Sequence, residues 1–248
     1  MRVQSLLVLL LLACLGNAAS AQSFDDDPKV RTARPGAVSF GPRVGISISS
    51  HSTEEDDGGG VNVRYKSGVL VGAVANIGLS EVFSIQPELL YIQKGVSVHL
   101  DVNETYPGGT YSIEGENELR SNYLELPVLG KATFNAGNIQ YYFTAGPTLG
   151  YWLSGKEILD YTERYVEATG TINHTADTEM NVEFDAGEKR LEAGASIGMG
   201  LGFSIGTGTL SVDARYGMGL TSLYDEDEGR QKTKNRVIGV SFAYLFGK

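Results

Sequence analysis

The sequence predicts an all-β chain, an eight-stranded antiparallel up-and-down transmembrane β-barrel. Three observations predict it. Long segments alternate strictly between apolar and small or polar residues. Their connections alternate between tight turns and long polar stretches. Strand-interior charges fall on the parity opposite the apolar one. The clearest case is residues 191–221. Leu191, Ala193, Ala195, Ile197, Met199, Leu201, Phe203 and Ile205 share one parity, against Glu192, Ser196 and four glycines. After Gly206-Thr207-Gly208, Leu210, Val212, Ala214, Tyr216, Met218 and Leu220 repeat the pattern around Asp213 and Arg215. A period of two means a strand with unlike faces.

The first strand is expected over about 40–49, with Val44, Ile46 and Ile48 against Arg43, Gly45 and Ser47. The second, about 67–77, alternates Val69, Val71, Ala73, Ala75 and Ile77 with small residues. The third runs over about 83–98. Its period is weaker, because Leu90 and Ile92 oppose the face of Ile85, Leu89 and Tyr91. The fourth, about 120–134, offers Leu124, Leu126, Val128, Ala132 and Phe134. The fifth, 139–154, offers Ile139, Tyr141, Phe143, Leu149, Tyr151 and Leu153. Strands six and seven form the 191–221 hairpin. The eighth, about 235–246, carries Ile238, Val240, Phe242, Tyr244 and Phe246.

The connections at 78–82, 135–138 and 206–208 are tight. Those at 50–66, 99–119, 155–189 and 223–234 are long and polar. Short turns at one end and long loops at the other is the plan of an outer-membrane barrel with periplasmic termini. Most of the 30 acidic residues lie in the long stretches. Strand interiors keep Glu88, Glu125, Glu192 and Asp213, with Arg43, Lys94, Lys131 and Arg215 as their bases. A lipid-facing Lys or Arg costs about 2–4 kcal/mol at the bilayer midplane. An eight-stranded barrel is just wide enough inside for side chains to fill. These eight residues are therefore expected as a charge network in a closed lumen. Aromatic girdles are expected from Phe40, Phe83, Phe134, Tyr141, Phe203, Tyr244 and Phe246 at one end, and from Tyr91, Tyr123, Tyr151, Trp152 and Tyr216 at the other.

The first residues read as an export signal: Arg2, an apolar run over 6–12, and Ala19-Ser20-Ala21, with cleavage between Ala21 and Gln22. Lipidation at Cys14, the sole cysteine, is the alternative. The expected domains are a signal peptide at 1–21, a periplasmic linker at 22–37 and a barrel at 38–248. A mature chain without cysteine excludes disulfides and thiolate chemistry. The net charge of -10 argues against nucleic acid as a partner.

Several short stretches resemble the PorT-like outer-membrane β-barrel family. They are Gly41-Pro42-Arg43-Val44-Gly45, Gln86-Pro87-Glu88-Leu89-Leu90-Tyr91, Tyr123-Leu124-Glu125-Leu126-Pro127, and Ala145-Gly146-Pro147 with Gly150-Tyr151. The resemblance spans roughly 36–248. It implies an eight-stranded barrel in the outer membrane and, for most members, no assigned activity.

His51, His99 and His174 read as solvated loop residues without catalytic or metal-site spacing. No enzyme activity and no cofactor are expected. The acidic runs Glu54-Glu55-Asp56-Asp57 and Asp225-Glu226-Asp227-Glu228 carry oxygen ligands suited to Ca²⁺ or Mg²⁺, and could bridge to lipopolysaccharide. Val166, Ala168, Ile172, Val182 and Phe184 suggest a hairpin within 155–189 standing above the membrane. The leading expectation is a monomeric outer-membrane barrel of a Gram-negative bacterium, set in lipid and lipopolysaccharide. Its acidic loops would meet a protein or glycan partner. Two alternatives are an accessory part of an envelope secretion system, and a secreted lipocalin-like barrel with its apolar face inward.

Overall fold

The computed structural model describes residues 35–53, 62–136, 139–167, 170–182, 189–223 and 233–247. The expected cleavage site at Ala21 and Gln22 and both acidic runs, 54–57 and 225–228, lie outside them. Nine strands form one antiparallel sheet: β1 (Val38–Thr53), β2 (Asn62–Gly78), β3 (Phe83–Tyr106), β4 (Gly109–Ala136), β5 (Ile139–Glu167), β6 (Gly170–Asn181), β7 (Leu191–Ile205), β8 (Gly208–Gly219) and β9 (Thr233–Phe246). β1 pairs with both β2 and β9, and β4 pairs with both β3 and β5, so the sheet closes on itself. The ring holds eight strands, as expected. β6 stands outside it.

Parity decides the faces. Ile46, Val69, Leu89, Leu126, Phe143, Met199 and Phe242 are exposed on the outside. Arg43, Ser47, Gln86, Glu88, Lys131, Ser211, Asp213 and Ser241 are buried inside. A lipocalin-like barrel would need the reverse, so that reading does not fit. Apolar groups outside and polar groups inside is the arrangement that lipid favours. β8, at 12 residues, is close to what a tilted strand needs to cross the hydrocarbon layer.

The tight turns form where the sequence permits them. Gly206 adopts φ +60°, which a side chain would resist. In the 79–82 turn, the Ser80 hydroxyl accepts from the amides of Val82 and Phe83 at 3.3 and 2.9 Å. Crowding explains glycines on the inner parity. A Cβ at Gly198 would sit 2.6 Å from Arg215 Cγ.

At the other end, strands continue into two of the long polar stretches. Residues 99–119 continue β3 and β4 to a turn at Pro107-Gly108, where Gly108 takes φ +116°. Residues 155–167 lengthen β5 and 170–181 return as β6, paired from Lys156↔Asn181 to Glu167↔Gly170, which is the hairpin expected in this stretch. Charge marks solvent exposure, not loop structure, and here it sits on paired backbone. The upper parts of β3, β4, β5 and β6 form a four-stranded sheet beyond the ring. The 13 residues of β4 from Gly109 to Ser121 span about 40 Å at the usual strand rise.

The histidines depart from expectation in the same way. All three lie in strands: His51 in β1, His99 in β3 and His174 in β6. His51 is half-buried at the ring's upper rim, opposite Asn235. His174 is exposed, beside the Tyr161 ring at 6.5 Å.

Candidate functional site

Facing strands bring the eight interior charges into a narrow space. In the lower half, Arg43 Nη1 lies 2.7 Å from Asp213 Oδ2 and its Nη2 lies 3.5 Å from Glu88 Oε1. The Arg215 guanidinium grips both Glu88 oxygens at 2.8 and 2.9 Å, and its Nε lies 3.1 Å from Asp213. Tyr142 and Ser241 hydroxyls donate to Asp213 at 3.0 and 2.9 Å, and Gln86 Nε2 donates to Glu88 at 2.6 Å. Four charges of balanced sign thus satisfy one another away from water, which buried ions require.

In the upper half, Lys94 Nζ lies 2.9 Å from Glu125 and 3.0 Å from Glu192. Asn235 Nδ2 donates to Glu192 at 2.9 Å. Lys131 lies apart from this pairing, with its Nζ 3.9 Å from the Tyr142 ring centre. Tyr142 itself donates to Asp213, so Lys131 sits with the lower group, and the eight formal charges sum to zero.

An apolar collar packs around the upper group: Leu70, Leu90, Ile92, Tyr123, Trp152 and Val237, with Val182 against it. Tyr123 and Trp152 stack inside, their ring centres 5.9 Å apart. They do not join the outer girdle expected of them. Both stand on the inward parity of their strands, a signal that position near the rim had overridden. Leu90 and Ile92, which weaken the alternation of β3, are collar residues for the same reason. The interior retains a cavity of about 50 Å³ between collar and charges, room for a few waters at most.

The projecting sheet has two unlike faces, set by its register. One carries Leu100, Ile113, Tyr161, Tyr165, Ile172 and Met180, with Glu104, Glu157 and Glu163 among them. The other carries Asp101, Glu114, Glu116, Glu118, Asp160, Asp177 and Glu179. Lys66 and Arg120 both pair with Glu118, and Lys156 with Glu179. Burial alone would raise the Glu118 carboxyl, but its bonds to Arg120 and Lys66 outweigh this and hold it below the usual carboxylate range. Among the described residues, no group of His, Cys, Asp or Glu is placed to hold a metal ion.

A closed antiparallel ring, apolar outside and ion-paired inside, defines a β-barrel of the outer-membrane kind. The chain belongs to the outer membrane protein beta-barrel domain family, whose model matches residues 20–225. It is an outer-membrane β-barrel protein. No curated protein sequence matches it. Among solved structures it is similar to OprG of Pseudomonas aeruginosa, at 13% identity and TM-score 0.45, over 88% of this chain and 100% of that one. It is also similar to Ail, the attachment invasion locus protein of Yersinia pestis, at 13% identity and TM-score 0.34, over 86% and 99% of the two chains. The Neisserial surface protein A is a third, at 8% identity and TM-score 0.36, over 82% and 95%.

Proposed function

We propose that this protein is a non-conducting barrel that holds an acidic, two-faced sheet outside the cell for contact with a partner. The chain is exported, matured after Ala21, and inserted into the outer membrane of a Gram-negative bacterium with its tight turns toward the periplasm. The interior charges are structural: they close the lumen and do no catalysis. The observation that carries this reading is the division of labour along the strands. Ion pairs fill the ring. The upper parts of four strands leave it and bury little, and exposed elements on a rigid scaffold are where binding concentrates. The partner is a protein or a glycan.

Deleting 158–179 and joining the ends with a short Gly-Ser turn tests the reading. β5 pairs with β7 only over Ile139–Tyr151, below the deleted stretch. The variant is expected to fold, migrating differently before and after boiling as the parent does. Its urea midpoint should match the parent's. A variant that stays unfolded would make the projection a structural element, and the interaction reading would fall.

A further inference from the structure

The outer edge of β6 is built to accept another strand. β6 is 12 residues long and pairs with β5 in unbroken register. Among the described residues nothing pairs with its other edge. Exposed edges are normally blunted by lysine, proline or a bulge. The β6 sequence GTINHTADTEMN has no lysine, arginine or proline, and its pairing has no bulge. Its charges, Asp177 and Glu179, are both acidic and lie on one face. On the other face Ile172 is 68% exposed and Met180 49%.

The register adds a second observation. Glu116, Asp160 and Asp177 stand directly opposite one another across β4, β5 and β6. Like charges opposite each other destabilise a sheet. Lys66 and Arg120 pair with Glu118 and Lys156 with Glu179, while His99 stands opposite Glu116 and Arg164 lies on the same face of β5; among the described residues no ion pair joins this row. The row ends at Asp177, on the open edge. A base on an added strand would stand beside it and relieve the repulsion.

We infer that β6 captures an extended segment of a partner protein by strand addition. The segment alternates basic residues, facing Asp177 and Glu179, with apolar residues, facing Ile172 and Met180. Main-chain hydrogen bonds supply affinity in this mode, and alternate side chains supply selectivity. The inference rests on the reading that the projecting sheet is an interaction surface, and names the chemistry of its partner.

The test uses the full chain in zwitterionic lipid nanodiscs, with amide hydrogen exchange followed over 170–181. The probes are three blocked peptides matched to β6 in length: alternating Val and Lys, alternating Val and Glu, and alternating Gly and Lys. The Val-Lys peptide is expected to slow exchange in β6 by roughly tenfold or more, and the other two to leave it unchanged. Asp177→Lys should abolish that protection while the protein still shifts on boiling. Three results would overturn the inference: no protection by Val-Lys, equal protection by Val-Glu or Gly-Lys, or protection that rises with protein concentration alone. The last would make the occupant a second copy of the chain. A failure here leaves the 158–179 deletion result standing, so the two readings fall separately.

Discussion

Replacing Asp213 with alanine lowers the unfolding free energy of the barrel by about 3–5 kcal/mol. Asp213 accepts from Arg43, Tyr142 and Ser241 and lies 3.1 Å from Arg215. Without it, Arg43, 2% exposed, keeps a neutral hydrogen bond to Ser241 Oγ at 2.6 Å, and its one remaining carboxylate contact is at 3.5 Å to a Glu88 already held by Arg215. The loss is that of stranding a charge inside the ring. It should appear as a lower urea midpoint for unfolding from lipid bilayers. Lys131→Met is the contrast. Lys131 is buried but rests on the Tyr142 ring rather than completing a bridge. A methionine of similar length should change stability by less than about 1.5 kcal/mol. Equal losses from the two substitutions would mean that mutual pairing does not organise the interior.

Met199→Arg is expected to cost about 2–4 kcal/mol, because it places a charge against hydrocarbon near the middle of a crossing strand. Met199 is 60% exposed on the outer face of β7, beside Ile197 on the same parity. In a water-soluble barrel an exposed substitution there would stay within roughly 0.5 kcal/mol. Ile205→Arg is the internal control. It shares the outer parity but lies next to the tight turn at Gly206, where the same charge should cost no more than about 1 kcal/mol. A depth-dependent loss, read from unfolding midpoints in bilayers, is the expected result. Equal effects at both positions would count against a lipid-facing surface.

The ring was legible because each crossing strand meets lipid on one side and a crowded lumen on the other, which enforces a period of two. Arg43, Glu88, Asp213 and Arg215 were legible for the same reason: none could sit on the lipid parity. What escaped the sequence lies where that pressure stops. Beyond the rim both faces of the sheet meet water. Carboxylates such as Glu116 and Asp160 then mark solvent without marking a loop. β6 was legible as the return arm of a hairpin within 155–189, but its bounds and register were not, because they depend on pairing with the top of β5 and not on its own pattern. Inside the rim, Tyr123, Trp152, Leu90 and Ile92 are apolar on the inner parity. Large apolar side chains there suggest either a girdle or a weakened strand. Only the stacking of Tyr123 on Trp152 at 5.9 Å resolves them as a collar. The contact of Arg43 with Asp213, 170 positions away along the chain, could be expected as a class but not as a pair.

The central claim is a lumen closed by its own side chains, with two ion-paired groups, an apolar collar and a cavity of about 50 Å³ between them. Single-channel recording of the purified, heat-modifiable protein in planar bilayers tests it most directly. The expected record, in molar potassium chloride at either polarity, is free of conductance steps. Regular ohmic steps that vanish on boiling the protein would contradict the closed lumen and make the interior charges the lining of an ion path.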